Sequence, residues 1–124
     1  MMGALNCTAM RRKGQRMTLK ELYEALKSID GFSSKVIYRA FPAGKAPKLP
    51  YICYQVTNSD NFYADNRVYH VQQVVDIELY TAKKSEATEQ LVEAKLNEIG
   101  LVWNKYEEYI DSEEMYEIIY TVTI

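Results

Sequence analysis

The feature that most constrains the fold is an alternation of apolar and polar residues within the segment 50–84. One face of this segment carries Tyr69, Val71, Val75, Ile77 and Leu79, with Gln73 as an interruption. The other face carries His70, Gln72, Asp76 and Glu78. A period of two residues is typical of a strand with one buried face. The pattern therefore predicts a sheet that is covered on one side, and not a catalytic pocket.

The size and composition of the chain favour a single domain. It has 124 residues, of which 48% are hydrophobic, enough to build one core. The formal net charge is -2. No apolar run reaches the ~20 residues that a membrane-spanning helix needs. We therefore expect a domain that has no membrane partner and is not a polycation.

The few thiol and imidazole side chains point away from a cofactor site. Cys7 and Cys53 lie far apart in the sequence, and His70 is the only histidine. These numbers disfavour a structural disulfide and a metal site built from several Cys and His ligands. No glycine-rich phosphate loop is present. We expect a buried, unreactive Cys53, no cofactor, and no catalytic or metal-binding residue.

The first sixteen residues differ from the rest of the chain. They lack a sustained apolar run and a small-residue cleavage site, so the segment 1–16 is predicted to be a disordered leader, with one α+β domain over 17–124. The sequence of residues 11–14 is what a purine-rich ribosome-binding site would encode in frame, which suggests Met17 as the natural start. The alternative is a basic arm that contacts nucleic acid or an anionic surface.

Beyond this leader, the pattern predicts two helices and five strands. Thr18 and Glu21 form a capping box before a helix that ends near 30–31, and a second helix over 85–99 is ended by Gly100. Strands are predicted over 35–41, 51–57, 67–81, 101–109 and 115–124, with loops at 42–50 and 58–66. The order is α-β-β-β-α-β-β. Because helix stripes and strand faces both need cover, we predict an α+β fold, a mostly antiparallel sheet of about five strands with both helices packed on one face.

Charge is distributed unevenly along the chain. Residues 1–50 hold ten Lys and Arg against three Asp and Glu, a balance of +7, and the remainder has a balance of -9. Without residues 1–16 the first part is still at +3. A head-to-tail contact between unlike surfaces of two copies is one interpretation. The other is that both signs interleave on one surface of the folded chain.

Tyrosine is abundant, with eleven copies, and it combines a large apolar contact with a polar tip. Packing within the sheet layer is expected for Tyr51, Tyr69, Tyr116 and Tyr120. Interface positions are expected for Tyr63, Tyr106 and Tyr109, because their neighbours are polar. Phe62 and Tyr63, in the 58–66 loop, either fold back onto the sheet or anchor a partner protein.

A family resemblance covers nearly the whole chain from residue 17. Its motifs are PYICYQ, the SDNFYADN loop, a long strand ending DIELYT, a charged helix and a closing MYEIIYTVTI strand. Together they resemble the small tail-completion proteins, or tail terminators, of long-tailed phages and Gram-positive prophages, also described as tail-to-head joining proteins. The resemblance implies a non-enzymatic ring, expected to be hexameric, that caps the tail tube and joins it to the head connector.

The resemblance implies partner regions and not catalytic residues. Tube or subunit contacts are placed on the loops 43–49 and 59–66, and inter-subunit contacts on the hairpin of the last two strands. The partner-contact candidates are Lys45, Lys48, Asp60, Phe62, Tyr63, Asp65, Tyr106, Glu107, Glu108, Tyr109, Glu113 and Glu114. The expected partners are other copies of the chain, alone or only on the tube, the tail tube protein and the connector.

The same resemblance places the protein in the host cytoplasm during assembly and in the virion tail afterwards. Phage DNA would pass through the ring without sequence-specific binding, and an acidic lining would not retain phosphates. The candidates for such a lining are Glu107, Glu108, Asp111, Glu113, Glu114 and Glu117.

Two other function classes remain open at this stage. An enzyme could use Asp76 and Glu78 on one strand face, but Glu93 and Lys95 point about 200° apart around a helix, so they do not complete a nuclease-like set. A small α+β module could bind a protein, a ligand or single-stranded nucleic acid on an aromatic sheet face. The acidic balance of residues 51–124 argues against nucleic acid.

Overall fold

The computed structural model describes residues 17–59, 62–64, 67–70 and 72–124, with the backbone alone for 62–64 and 67–70. The predicted leader 1–16 lies outside these residues. The helices are α1 (Leu19–Lys27) and α2 (Glu86–Glu98). The strands are β1 (Val36–Tyr38), β2 (Tyr51–Ser59), β3 (Phe62–Ala64), β4 (Arg67–His70), β5 (Gln73–Thr81), β6 (Asn104–Ile110) and β7 (Met115–Thr123).

Five of the strands form one sheet in the order β1-β2-β5-β7-β6. The pairs β2/β5, β5/β7 and β6/β7 are antiparallel, and only β1 runs parallel to its neighbour, β2. Counting the elements of this sheet and the two helices gives the order α-β-β-β-α-β-β. The predicted fold class, α+β with a mostly antiparallel sheet, is confirmed.

Cross-strand register aligns the apolar residues of the three central strands on one face of the sheet. Ile77 of β5 lies between Tyr54 of β2 and Tyr120 of β7, and Leu79 lies between Ile52 and Ile118. Both helices pack on this face, which we call the helix face, through the buried residues Leu22, Ala25, Leu26, Val92 and Leu96. The alternation read from the sequence of β5 therefore describes its two faces correctly.

The ends of both helices follow the local sequence. The Thr18 hydroxyl accepts a hydrogen bond from the Glu21 N–H at 3.1 Å, and the Glu21 carboxylate accepts one from the Thr18 N–H at 2.9 Å, which is a complete capping box. Gly100 has φ +80°, and the Leu101 N–H donates to the Leu96 carbonyl at 3.0 Å. This left-handed ending needs glycine, because other residues pay a steric cost at positive φ.

Three sequence-based expectations differ from the structure. The predicted strand 67–81 is two strands, because β4 pairs with β3 in a two-stranded sheet and β5 belongs to the five-stranded sheet. The segment 58–66 is not simply a loop, because β2 continues to Ser59 and β3 pairs antiparallel with β4, with a register shift between Phe62 and Tyr63. Aromatic residues favour strands, and this preference outweighs the turn tendency of the neighbouring Asn and Asp. On α2, apolar Leu91 is exposed and charged Glu89 is buried, although apolar residues of a helix are expected to face the core.

No helix in the described part of the chain is long and apolar enough to cross a membrane.

The register of β5 predicts which side chains contribute most to the stability of the fold. Ile77 is fully buried between two neighbouring strands and the helices, so Ile77→Ala should lower the free energy of unfolding by about 2–5 kcal/mol through lost burial and a residual cavity. Val102 is 88% exposed, and Val102→Ala should stay within about 0.5 kcal/mol. Urea denaturation of both variants measures the difference. Equal effects would contradict the assignment of Ile77 to the core.

Candidate interaction surface

The face of the sheet opposite the helices carries polar and aromatic side chains, and we call it the open face. Its rows follow the same register that aligns the core. Glu78 of β5 lies between Cys53 of β2 and Ile119 of β7, and Tyr106 of β6 continues the row. The row on one side contains Gln55, Asp76, Thr121 and Asn104. The row on the other side contains Tyr51, Tyr80, Glu117 and Glu108.

A hydrogen-bonded cluster of two carboxyl groups occupies the middle of the open face. The Glu78 carboxylate accepts a hydrogen bond from the Gln55 side-chain amide at 3.2 Å. The Tyr80 hydroxyl lies 3.0 Å from oxygen atoms of both Glu78 and Glu117. Only 9% of Glu78 is exposed, although it lies on the face without helices. The cluster is therefore built by three adjacent strands and is largely shielded from water by its own members.

This cluster holds one hydroxyl proton between two carboxyl groups. A phenol has a single hydrogen, so Tyr80 donates to one carboxylate, and its second contact becomes a hydrogen bond only when the other carboxyl is protonated. Burial raises the pKa of the Glu78 carboxyl, although the Tyr80 and Gln55 hydrogen bonds act in the opposite direction. Burial also raises the pKa of Glu117, and the nearby Glu78 charge adds to this shift. Both shifts favour retention of a proton by the pair.

The open face has no basic side chain among its described residues. Its carboxylates are Asp76, Glu78, Glu108 and Glu117, and the charge of Glu113, in the turn 111–114, contributes to the raised pKa of Tyr51 after burial and Cys53. Asp76 accepts a hydrogen bond from the Thr121 hydroxyl at 2.8 Å. We call these five carboxylates the acidic patch. Their charge is not neutralised by any ion pair within the described residues.

Aromatic rings border the acidic patch at the β2 side. Phe41 contacts Tyr51 edge to face, with ring centroids 5.2 Å apart, and Tyr51 lies 5.2 Å from Tyr80. On the β6 side, Tyr106 is 61% exposed. Cys53 lies beneath this surface, where burial raises the pKa of its thiol to about 11. The thiol is buried, as the sequence predicted, and the raised pKa keeps it protonated and unreactive at neutral pH.

Four salt bridges of the described residues lie on the helix face and connect α2, β6 and the segment 82–85 to one another. Buried Glu89 accepts contacts from Lys84 at 2.8 Å and Lys105 at 2.9 Å. Lys105 also contacts Glu93 at 2.7 Å, and Lys84 contacts Glu107 at 2.6 Å. The basic side chains nearest to β6 are thus already paired, on the side of the sheet away from the acidic patch.

The pKa shifts of Glu89 and Lys84 indicate that this salt-bridge network stabilises the fold. Burial alone would raise the pKa of Glu89, but the hydrogen bonds from Lys84 and Lys105 outweigh it and lower the pKa below its ordinary value. The hydrogen bonds that Lys84 donates to Glu107 and Glu89 raise the pKa of Lys84. The cleft lined by these side chains is occupied by its own ion pairs. We assign it the role of fixing α2 to the edge of the sheet.

The structure locates only some of the predicted contact residues in the first part of the chain. Lys45 and Lys48 are exposed on the connection between β1 and β2, where the Lys45 N–H donates to the Pro42 carbonyl in a turn. Asp60 and Asp65 lie outside the described residues. Phe62 and Tyr63 belong to β3, so the prediction that they stand on a loop is wrong.

The predicted contact residues of the last hairpin do not share one surface. Tyr106 and Glu108 belong to the open face, whereas Glu107 and Tyr109 point to the helix face because neighbouring strand residues alternate. Glu107 is paired with Lys84, and the Tyr109 ring lies 4.9 Å from that of Tyr116. Tyr106 and Tyr109 are both exposed. Exposed Glu113 and Glu114 lie in the turn, where Glu114 has φ +52°.

The residues considered for an enzyme are separated by the fold. Asp76 and Glu78 lie on the open face, but Glu93 lies on the helix face and is hydrogen-bonded to Tyr120 at 2.8 Å. Lys95 pairs with Glu98 within α2 at 3.2 Å. No group of three or more Asp, Glu, His or Cys among the described residues is arranged to hold a metal ion.

Comparison with known proteins adds no family assignment, because no protein-family model matches the chain and no curated protein matches it significantly.

The open face has the chemistry to receive cationic side chains. Its carboxylates supply hydrogen-bond acceptors, and the half-buried aromatic rings supply faces on which Lys or Arg side chains can stack. Tyr106 and Glu108 could be predicted from the sequence as contact residues, whereas the clustering of Glu78, Tyr80 and Glu117 could not. These three residues are polar or aromatic on predicted strands, and only the pairing of β5 with β7 brings them together.

The raised pKa of Glu78 predicts how the stability of the fold depends on pH. Because the folded-state pKa of Glu78 is raised, its protonated form contributes stability at low pH that is lost as pH rises through that pKa. Glu78→Gln keeps the shape without the titration. The variant should therefore be more stable than the wild type at pH 8, with the gain shrinking towards pH 4, as measured by thermal or urea unfolding at several pH values.

Glu108→Gln is the matched control, because Glu108 lies on the same face but is exposed. It should change the free energy of unfolding by less than about 0.5 kcal/mol at either pH. A Glu78→Gln variant that is less stable than the wild type at pH 8 would show that the Glu78 carboxylate is well stabilised in its charged form, contrary to this account.

Proposed function

We propose that this chain is a non-enzymatic structural protein of a phage or prophage. In this proposal it caps the tail tube as a ring, taken as hexameric, and joins the tail to the head connector. It works in the host cytoplasm during assembly and remains in the virion tail. Phage DNA passes through the ring without sequence-specific contacts.

The observation that carries the proposal is that neither helix of the described residues covers the open face of the sheet. Both helices lie on the other face, and β6 is an edge strand with six of its seven residues exposed. An exposed edge and an uncovered face of this kind are typical sites for pairing with further protein chains. The sequence resemblance to tail terminators, which are α+β ring proteins, supplies the identity of the assembly.

The chemistry of the open face favours this function over the alternative binding module. A surface for single-stranded nucleic acid combines aromatic rings with basic side chains that neutralise phosphates. Here aromatic rings are accompanied by carboxylates, which repel phosphates.

Light scattering coupled to size-exclusion chromatography tests the proposal directly. The protein is run at several concentrations, alone and with a tail tube protein from the same genome. We expect six copies per assembly, either alone or only at tube ends, where repeated neighbours strengthen weak contacts. Electron microscopy of the mixtures should show tubes whose growth has stopped at a capped end.

Two outcomes distinguish the alternatives. A protein that stays monomeric and ignores the tube at every concentration would overturn the terminator function. Saturable, salt-sensitive binding to single-stranded oligonucleotides by the same sample would then favour the nucleic-acid module. Tubes incubated without the protein are the control for spontaneous arrest of growth.

A further inference from the structure

Two groups of charged side chains, one basic and one acidic, have no salt-bridge partner among the described residues. At the β1 edge, the segment 39–48 contains Arg39, Lys45 and Lys48 and no acidic residue, and all three basic side chains are exposed. We call this segment the basic loop. Towards the β6 edge lies the acidic patch, which has no basic side chain. The salt bridges of the described residues include none of these groups.

We propose that the acidic patch of one copy is the docking surface for the basic loop of a second copy of this chain. The proposal rests on the proposed function, since the same contact repeated around a circle closes a ring. Because the basic loop follows β1 and the exposed carboxylates Glu108 and Glu113 lie towards β6, each copy can offer one surface to each neighbour. This is a heterologous, head-to-tail contact and not a two-fold one.

The composition of the receiving surface fits Lys and Arg side chains in particular. Glu108 and Glu113 are exposed and lie towards the β6 edge, where they are accessible to a neighbouring chain. Tyr106, 61% exposed, supplies a ring beside them on which a cationic side chain can pack. Deeper in the surface, Glu78 and Glu117 carry charge that a neighbour's cation would stabilise. Docking would therefore relieve a cost that the isolated monomer bears.

The two faces of β6 also explain why only some charged residues of the β6–β7 hairpin belong to the proposed contact between copies. Glu107 lies on the helix face and is already neutralised by Lys84. Lys105, the one basic residue on β6, is held by Glu89 and Glu93 on that same side. The charged side chains on the helix side of β6 are thus held in ion pairs, whereas the open side carries carboxylates without a cation. A basic partner is directed to one face of the strand.

Reversal of charge on each surface in turn tests the contact. A loop variant carries Lys45→Glu and Lys48→Glu, and a face variant carries Glu108→Lys and Glu113→Lys. All four residues are exposed, so the fold should be preserved. Self-association is measured by nuclear magnetic resonance on isotope-labelled protein at increasing concentration and low salt. Each variant alone should self-associate at least tenfold more weakly than the wild type.

An equimolar mixture of the two variants should restore association, because the reversed loop of one meets the reversed face of the other. Signals from 39–48 and 104–117 should shift in the mixture, and added salt should weaken the effect. Lys20→Glu with Lys27→Glu is a control with the same change in net charge as the loop variant, and both residues lie on α1, which packs on the helix face. This control should associate as the wild type does.

The experiment separates the inference from the function on which it rests. Variants that associate as strongly as the wild type, or a mixture that does not recover, would overturn the docking contact. Capping of tubes by both single variants would likewise show that the ring uses other surfaces, while the terminator function stands. A restored mixture with no binding to tail tubes would support the contact and overturn the tube-capping function.

Discussion

The register of β5 with its two neighbours is the constraint on which the rest of the structure depends. It aligns Ile77 with Tyr54 and Tyr120, and the same pairing aligns Glu78 with Cys53 and Ile119 on the opposite side. A shift by one residue would move every side chain to the other face and place carboxylates against the helices. The core and the acidic patch are therefore two consequences of one pairing pattern.

Two buried carboxylates, Glu89 and Glu78, have different kinds of partners. On the helix face, buried Glu89 is compensated by two lysines, and this network fixes α2 to the edge of the sheet. On the open face, Glu78 is almost as deeply buried but has only a phenol and an amide as partners. A carboxylate without a cation reduces the stability of the isolated chain. Such a cost is reasonable where a partner supplies the missing positive charge.

Much of the fold could be predicted from local sequence patterns, because the capping box at Thr18, the glycine ending at Gly100 and the alternation along β5 all act within a few residues. The site could be predicted only in part. Alternation implies that Glu107 and Glu108 point to opposite faces, but the pairing of Glu107 with Lys84 depends on how α2 packs. The cluster of Glu78, Tyr80 and Glu117 depends on strand order, which periodicity does not specify.

The most direct measurement is zero-length coupling of carboxylates to amines in a mixture of light and heavy isotope-labelled protein, analysed by mass spectrometry at high concentration and low salt. Mixed-isotope products can arise only between copies. The account predicts mixed products that join Lys45 or Lys48 to Glu108 or Glu113. Mixed products that join only residues of α1 and α2, or none between copies, would contradict the claim that contacts between the basic loop and the acidic patch hold the copies together.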